Sequence, residues 1–381
     1  MSVYTNDVLH EQKNGVGFIT LNRPKALNAL SLEMVRELTH ALLMWQDDPQ
    51  VKAVVIRGSN KEGAFGSFCA GGDIRYFHRA ALAGDPSLED FFTEEYNLNH
   101  LIQKYPKPYI AFMDGIVMGG GMGLSQGAAL RVVTERTNMA MPETHIGLFP
   151  DVGGGYFLSR CKGAMGEYLA LTGQQLRGGD SLHVGLADVM TAADTLPALW
   201  DTLGARAWRD GAEVLQWLRE ATHSSTTEAL QTKPTWMNAS IDEVFALPTV
   251  NDMENALVQR SADAQHADQA WADKTLKALH HQSPLMLHVS LEQVRRGRQM
   301  DLASELRMER DMVRHCFYTQ HLNRSGVSSE TVEGIRALAV DKDHQPKWNP
   351  ASIAEVTPEM VQPFFNSPWP AAQHPLRHLK D

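Results

Sequence analysis

Short apolar runs alternate with helical patterns over the first half of the chain. The runs are rich in β-branched and aromatic residues, a composition typical of strands buried in a sheet that helices cover. Strand, helix and strand in this order favour an α/β unit built from parallel strands and right-handed crossovers. The predicted strands are Val16–Asn22, Ala53–Ile56, Tyr109–Met113 and Leu130–Val133.

The clearest helix in this half follows the first strand. Its apolar residues fall at steps of three, four and three, which is helical spacing. Ser31 stands in the position of an N-cap, and the run Asp47-Asp48-Pro49 ends the pattern. The apolar positions are Val35, Leu38, Leu42 and Trp45.

Helical patterns replace strand patterns after about residue 205. Ser283 and Pro284 predict an N-cap and a first-turn proline at the start of one helix. The segments Pro346–Pro350 and Pro363–Pro370 predict an extended tail laid on the surface. We therefore predict two domains, residues 1–205 and residues 206–381, of which the second is mostly helical. A further helix in it carries Leu302, Leu306, Val313 and Cys316.

Composition narrows the class of protein and its partners. The 381 residues are 43% hydrophobic and 21% charged, which is typical of a globular chain. A formal net charge of −10 argues against nucleic acid or an anionic membrane as a partner. Three widely spaced cysteines indicate neither a disulfide framework nor a zinc cage. The start lacks the basic and apolar regions of a presequence, and no apolar run reaches membrane-spanning length, so we expect a cytoplasmic protein.

Glycine clusters mark where backbone approaches something closely. The cluster that begins at Gly119 follows a strand but fits neither GxGxxG nor a Gly-Lys-Ser/Thr phosphate loop. A helix that opens at Gly120 would offer N–H groups without intrahelical partners to an anion or an oxyanion. Gly72 is a second candidate donor, although a separation of 48 residues does not itself link the two. Tight turns and close helix packing explain the same glycines equally well at this stage.

Two carboxylates lie among apolar residues, prolines and glycines in a third cluster. Glu143 and Asp151 flank His145, and a buried carboxylate is costly unless it is paired or used. One interpretation is acid–base chemistry, with one acid activating water and the other handling a leaving group. The alternative is structural: Glu143 caps a turn and Asp151 caps the helix after Gly153. The 16 histidines show no paired ligand spacing, so we predict no metal site.

Taken together in order, these motifs resemble the crotonase (enoyl-CoA hydratase/isomerase) superfamily, and within it the 3-hydroxyisobutyryl-CoA hydrolases most. The resemblance runs over nearly the whole chain. It implies a crotonase-like ββα spiral core over 1–205, with the CoA and oxyanion site, and a helical C-terminal region over 206–381 that closes over that site. The segments that carry it are Leu21–Asn28, Phe68–Ile74, Met118–Leu124, Met141–Tyr156, Glu333–Ala337 and Asp341–Trp348.

The resemblance also implies roles for individual residues. The thioester carbonyl would sit between the N–H groups of Gly72 and Gly120. Glu143 falls where the hydratases keep one of two catalytic glutamates, and Gly123 falls where the other would lie, which argues against efficient hydration. The hydrolase pattern instead matches Glu143 with Asp151. The implied substrate contacts are Glu95 toward the acyl group, Lys25 toward a CoA phosphate, and the backbone of Ala26, Ala70 and Ile74.

The function implied is hydrolysis of a short 3-hydroxyacyl-CoA thioester, 3-hydroxyisobutyryl-CoA or 3-hydroxypropionyl-CoA, in valine breakdown. Glu143 would act as general base or as nucleophile, and the sequence leaves both open. Asp151 would position water, assist proton transfer to the thiolate or contact the acyl hydroxyl. No cofactor is expected beyond the CoA of the substrate, and a homo-oligomer is compatible with the sequence. The alternatives are an enoyl-CoA hydratase or isomerase and a non-catalytic acyl-CoA-binding protein.

Overall fold

The computed structural model describes residues 6–381, which form a mixed α/β fold with a parallel sheet. The strands are β1 Val8–Lys13, β2 Val16–Leu21, β3 Ala53–Asn60, β4 Gly63–Ala64, β5 Tyr109–Met113, β6 Ile116–Met118, β7 Leu130–Val133, β8 Asn138–Ala140, β9 Leu176–Arg177, β10 Val189–Met190, β11 Tyr318–Thr319 and β12 Arg324–Ser325.

Helices make up most of the rest of the chain. They are α1 Leu32–Gln46, α2 Ile74–Ala83, α3 Ser87–Gln103, α4 Gly120–Gln126, α5 Gly154–Leu158, α6 Met165–Thr172, α7 Gly178–His183, α8 Leu196–Ala205, α9 Gly211–Leu230, α10 Ser240–Phe245, α11 Val250–Ala262, α12 Gln269–His280, α13 Pro284–Gly297, α14 Leu302–Phe317, α15 Glu330–Ile335 and α16 Pro358–Val361. Short 3-10 turns include Pro24–Ala26 and Glu143–Ile146.

The main sheet has the strand order β1-β2-β3-β5-β7-β10, and β4 pairs with β3. Strands β2, β3, β5 and β7 run parallel, as the sequence predicts, and β10, which was not predicted, pairs parallel with β7. Strand β1, which the sequence analysis missed, pairs antiparallel with β2 through a two-residue turn. In that turn Asn14 and Gly15 have φ of 46° and 87°, the left-handed conformation that a tight hairpin turn of this kind requires.

An aromatic cluster fills the core on one side of this sheet. The ring of Trp200, from α8, lies 5.0 Å from Phe18, 5.8 Å from Phe65 and 5.7 Å from Phe112 between centroids, all in edge-on or tilted contact. The Arg57 guanidinium lies 4.1 Å from the Trp200 ring. Large aromatic surfaces of this kind dominate the free energy of a core, so the cluster fixes α8 against β2 and β5.

The predicted helix starts agree with the structure. Ser31 is the N-cap of α1 and its hydroxyl accepts a hydrogen bond from the Met34 N–H. Ser283 caps α13 in the same way for Met286, with Pro284 in the first turn. The predicted strands, and the helices α1, α13 and α14, are confirmed within a few residues at their ends.

The C-terminal tail differs from the prediction in part. Pro346–Pro350 has no helix or strand and is exposed or half-buried up to Asn349, as predicted, whereas Pro363–Pro370 begins within a 3-10 turn. The rest of the tail forms α16 and further 3-10 turns and buries apolar side chains. Those side chains supply the free energy that holds a segment without regular pairing in place. They are Ile353, Val361, Phe364, Leu376 and Leu379.

Contacts divide the chain into two compact units that are interleaved in sequence. The first comprises the residues up to Gly72, Glu94–Ala140 and Gln175–Pro234, and contains the main sheet and the sheet of β6, β8 and β9. The second comprises Asp73–Thr93, Met141–Gln174 and Thr235–Asp381, and is mostly helical. The predicted organisation into a core over 1–205 and a closing region over 206–381 stays a prediction.

Gly58 offers a direct test of packing in the first unit. A Cβ on this residue of β3 would overlap the carbonyl oxygen of Ser67 and lie 2.5 Å from that of Phe68. We expect Gly58→Ala to lower the free energy of unfolding by about 3 kcal/mol, measured by urea denaturation. Gly179→Ala is the matched control, because nothing lies within 4 Å of its Cβ position. Equal stability of the two variants would contradict the packing described here.

Candidate active site

In the first unit, the two glycine turns singled out in the sequence lie side by side. The N–H groups of Phe68 and Cys69 donate to the carbonyl of Ile116, at 3.1 and 2.9 Å, and the Met118 N–H donates back to Cys69 at 2.9 Å. Strand β6 therefore carries the chain along the turn that ends at Gly72 and then into α4. A Cβ built on Gly120 would lie only 3.4 Å from the Gly72 nitrogen.

Glycine is required here because backbone meets backbone. Gly71 and Gly119 have φ of 100° and 47°, a region that side chains disfavour. A Cβ on Gly121 would overlap the carbonyl oxygen of Cys69. The structural explanation for these glycines is therefore correct, and it is also what brings the Gly72 and Gly120 amides together. Gly120 is the first residue of α4, where N–H groups have no partner within the helix.

Glu95 lies at the same place. It belongs to α3, its side chain is 2% exposed, and its Oε1 would be 2.6 Å from a Cβ on Gly120. The structure thus brings Gly72, Gly120 and Glu95 together. Gly123, one turn into α4, is buried and offers no acid.

The residues proposed for CoA occupy the neighbouring loop. Lys25 is exposed and Ala26 half-buried in the 3-10 turn Pro24–Ala26. The Ala70 N–H donates to the carbonyl of Leu27 at 3.0 Å, so the Ala26 and Ala70 backbones are close neighbours. Ile74, the first residue of α2, is half-buried and belongs to the second unit.

Asn28 orders this loop, a role that the sequence analysis did not assign. Its side-chain nitrogen lies 2.8, 3.0 and 3.1 Å from the carbonyl oxygens of Ser59, Ser67 and Phe68, and its Oδ1 accepts from the Arg23 N–H. The residue is fully buried with φ of 56°. Asparagine tolerates this left-handed conformation while supplying both donors and an acceptor. Asn28 therefore joins the end of β3, at Ser59, to the start of the turn that ends at Gly72.

In the second unit, Glu143 stands on a rigid turn. It begins the 3-10 turn Glu143–Ile146 and is 7% exposed. The Ser283 N–H donates to the carbonyl of Thr144 at 3.0 Å, and the Thr331 hydroxyl donates to that of Gly147 at 2.6 Å. A Cβ on Gly147 would lie 2.5 Å from the Glu330 carbonyl oxygen, so α15 packs directly on this turn.

Asp151 does not occupy the helix N-cap position proposed in the structural alternative. Helix α5 begins after its N-cap Gly153, and the Gly154 N–H donates to the main-chain carbonyl of Asp151 at 2.9 Å. The helix start is instead bound by Glu309, which accepts hydrogen bonds from the N–H groups of Gly153 and Gly155 at 2.8 and 3.2 Å. The N-cap interpretation of Asp151 is therefore wrong. Its side chain is 5% exposed.

Burial and negative charge dominate the electrostatics of this region. Burial raises the pKa of Glu143 well above its ordinary value, and the charge of Asp151 raises it further. A hydrogen bond from its own backbone N–H lowers it, and the charge of Glu309 raises it by a smaller amount. A carboxylate with a raised pKa is a better base than an exposed one at neutral pH. Asp151 thus lies close enough to Glu143 to influence its protonation.

Glu305 and Glu309 were missed in the sequence, although a signal was present. Both are fully buried on α14, and Glu309 falls between Leu306 and Val313 on the apolar stripe of that helix. An acid on the apolar face of a predicted helix is a candidate for a paired or functional carboxylate. The spacing of the apolar residues predicts the helix but does not show that an acid lies on its apolar face.

The described residues provide neither a metal site nor a membrane-spanning helix. Within residues 6–381, no group of three or more His, Cys, Asp or Glu side chains is arranged to hold a metal ion. All three cysteines are buried, and none of them forms a disulfide. None of the helices in the described part is both long and apolar enough to cross a membrane.

The fold and the glycine and acid motifs define a class of acyl-CoA enzymes. The sequence model of the enoyl-CoA hydratase/isomerase family matches residues 16–365, so the chain belongs to that family. The resemblance noted in the sequence is confirmed.

Individual relatives are more specific. The chain is 38% identical over 359 residues to 3-hydroxyisobutyryl-CoA hydrolase, mitochondrial, of Gallus gallus, covering 94% of this chain and 88% of the relative. It is 40% identical over 354 residues to the protein of the same name from Xenopus laevis, covering 92% and 86%.

Two solved structures share the whole fold. One is a carnitinyl-CoA dehydratase from Mycobacterium thermoresistibile, with a TM-score of 0.77 and 36% identity over 95% of this chain and 97% of that one. The other is an enoyl-CoA hydratase from Rhodobacter sphaeroides, with a TM-score of 0.77 and 34% identity over 95% and 98%. The predicted fold class, α/β with a crotonase-like core and a mostly helical C-terminal region, is confirmed.

Asn28 gives a test of the loop that carries the Gly72 turn. We expect Asn28→Ala to lower the free energy of unfolding by about 3 kcal/mol, because three buried carbonyls lose their donor and alanine is strained at this φ. Asn14→Ala is the control: Asn14 also has a positive φ but is exposed and donates to a single carbonyl. It should cost about 1 kcal/mol or less. Urea denaturation measures both, and similar losses would refute the ordering role.

Proposed function

We propose that the protein hydrolyses a short 3-hydroxyacyl-CoA thioester, above all 3-hydroxyisobutyryl-CoA, to the free hydroxy acid and CoA. The relatives that bear that name match over more than nine-tenths of the chain. The observation that carries the proposal is Glu143, buried beside a second acid, Asp151, with glycine at position 123. Hydration needs two groups to add water across a double bond, whereas hydrolysis needs one activated nucleophile at the carbonyl.

The reaction begins with attack on the thioester carbonyl. Negative charge develops on its oxygen, and the N–H groups of Gly72 and Gly120 stabilise that charge, each by about 3 kcal/mol. In one route Glu143 takes a proton from water while the water oxygen bonds to the carbonyl carbon. The C–S bond then breaks, and the proton passes to the departing CoA thiolate.

In the second route Glu143 attacks the carbonyl itself. The thiolate leaves, an acyl-glutamyl anhydride remains, and water hydrolyses it. Both routes consume one water and yield the same products. Asp151 positions the water, assists proton transfer to the thiolate or accepts a hydrogen bond from the acyl hydroxyl.

Substrate recognition involves a second group of residues. Glu95, beside the two glycine amides, faces the acyl group and accepts a hydrogen bond from its 3-hydroxyl. Lys25, exposed next to the Ala26 and Ala70 backbones, contacts a CoA phosphate, and the backbones of Ala26, Ala70 and Ile74 contact the rest of CoA. A cationic side chain on a loop suits a mobile phosphate.

An enoyl-CoA hydratase or dehydratase is the second candidate. The two solved structures with the same fold favour it, because they are a carnitinyl-CoA dehydratase and an enoyl-CoA hydratase. The absence of an acid at Gly123 opposes it, and a parallel assay separates the two: release of CoA against loss of double-bond absorbance.

Location, cofactors and assembly belong to the same proposal. The hydrolysis uses no cofactor besides the CoA of the substrate, and a homo-oligomer stays a prediction. A cytoplasmic location also stays a prediction, and the hydrolases named above are described as mitochondrial.

Glu143→Gln tests the catalytic assignment. The amide keeps the shape but removes the base, so we expect kcat to fall at least about a hundredfold while binding of the CoA ester is retained. Thiol-reagent detection of free CoA measures kcat, and calorimetry measures binding. Glu228→Gln, an exposed residue of α9, is the control for loss of one charge. Near-normal hydrolysis by folded Glu143→Gln protein would rule out this role.

Recognition of the 3-hydroxyl is tested with substrates. A site built to accept a hydrogen bond from a hydroxyl leaves buried acceptors unpaired when the hydroxyl is absent. We expect 3-hydroxyisobutyryl-CoA to exceed isobutyryl-CoA in kcat/KM at least about a hundredfold, some 2.7 kcal/mol of transition-state stabilisation. Equal values would argue against hydroxyl recognition. Faster hydration of crotonyl-CoA than hydrolysis of either ester would favour the second candidate.

A further inference from the structure

A buried carboxylate from α14 holds the turn that carries Asp151. Glu309 accepts hydrogen bonds from the N–H groups of Gly153 and Gly155 through its two oxygens. The Gln293 side chain donates to Glu309 at 2.9 Å and to the Pro150 carbonyl at 2.7 Å. The Asp151 turn is therefore fixed on both sides, at Pro150 and at Gly153, by one connected network.

The turn needs this support. Val152 has φ of 58°, a strained conformation for a β-branched residue, and Gly153 follows with φ of 88°. Strained backbone of this kind persists only where the surroundings over-determine it. Three N–H donors to one carboxylate supply that constraint.

Glu305 lies one helical turn before Glu309 and is equally buried. A Cβ on Gly155 would overlap its Oε1 and lie 3.0 Å from the Gln293 side chain, so it packs on the same turn. Burial raises the pKa of Glu305 to about 7, and it also raises that of Glu309. Two adjacent carboxyls in such a place retain a proton between them near neutral pH. The Glu305 charge raises the pKa of Glu309 further, whereas the N–H groups of Gly153 and Gly155 lower it.

We propose that Glu309 is a positioning residue: its carboxyl group, bonded to the N–H groups of Gly153 and Gly155 and to the Gln293 side chain, fixes the turn that carries Asp151. This inference rests on the proposed hydrolysis for its kinetic part. Charged groups act electrostatically on this region. Asp151 raises the pKa of both Glu143 and Glu305, Glu309 raises that of Glu143, and Arg160 lowers that of Glu305.

Glu309→Gln separates positioning from general stability. A glutamine can accept from only one of the two glycine N–H groups and turns its NH2 toward the other. We expect kcat to fall at least about tenfold with KM changed less than about threefold, since a displaced catalytic group affects turnover more than binding. The acid limb of the kcat/KM profile should move to lower pH, because a negative charge that raises the pKa of Glu143 is gone.

Glu305→Gln tests whether the role belongs to Glu309 in particular. Glu305 packs against Gly155, but the N–H groups of Gly153 and Gly155 bond to Glu309. We therefore expect Glu305→Gln to keep at least about a third of kcat. A fall in kcat as large as that of Glu309→Gln would overturn the proposal.

Glu167→Gln is the matched control. Glu167 is a buried carboxylate of the same unit whose ion pair is with Arg298. Its loss should lower stability without moving the pH profile. Should Glu309→Gln not fold, Gln293→Met removes donors from the same network, and a smaller fall in kcat is expected.

Hydrogen exchange gives a readout that is independent of activity. We expect amide exchange in the peptide 150–158 to rise at least about tenfold in Glu309→Gln and to stay unchanged in Glu167→Gln. Unchanged protection in Glu309→Gln would refute the positioning role. If wild-type protein released no CoA from any hydroxyacyl ester while the exchange result held, the proposed function would fail and the role of Glu309 in the turn would stand.

Discussion

Close approach of backbone to backbone is the constraint on which the first unit depends. The Phe68–Gly72 turn lies against β6, and the carbonyl of Cys69 leaves no room for a side chain at Gly121. Likewise, the carbonyl of Ser67 leaves no room for a side chain at Gly58. Carbonyl groups buried by such contacts need donors, and Asn28 supplies them from a single side chain. A pair of amides fixed by backbone contacts needs no reorganisation when charge develops on an oxygen between them. The same packing that demands glycine thus also holds the Gly72 and Gly120 amides close together.

Charge burial governs the second unit in a different way. Glu143, Asp151, Glu305 and Glu309 are all buried, and such a group is tolerated only if protons, N–H donors or a reaction compensate its desolvation. Glu309 has donors, and Glu305 lies against it. Glu143 has its own backbone N–H as a donor, but its Oε2 has no hydrogen-bond partner, and burial raises its pKa. An uncompensated acid of this kind is a frequent mark of a functional group.

Local patterns predicted β2, β3, β5 and β7 and the helices α1, α13 and α14, and the elements they missed have physical causes. The strands and the Ser31 and Ser283 caps depend on neighbouring residues, so they could be predicted from the sequence. The contact between the Gly72 and Gly120 turns depends on β6 pairing across 48 residues, which no local pattern contains. Part of the tail was misjudged because its prolines suggested extension while its scattered apolar residues provide anchors. The resemblance supplied the residue roles, which remain proposals.

Relatives with similar folds have different enzyme names, and the chemistry of the two reactions explains how one fold can serve both. At 34–40% identity, the two sequence relatives are named hydrolases, whereas the two solved structures are titled hydratase and dehydratase. Hydration and hydrolysis of a CoA thioester both place negative charge on the carbonyl oxygen, so one pair of amides serves either reaction. They differ in where water adds and in how many groups move protons. The fold is therefore neutral between them. Under the proposed hydrolysis the difference rests on individual positions, namely glycine at 123 and a second acid, Asp151, near Glu143.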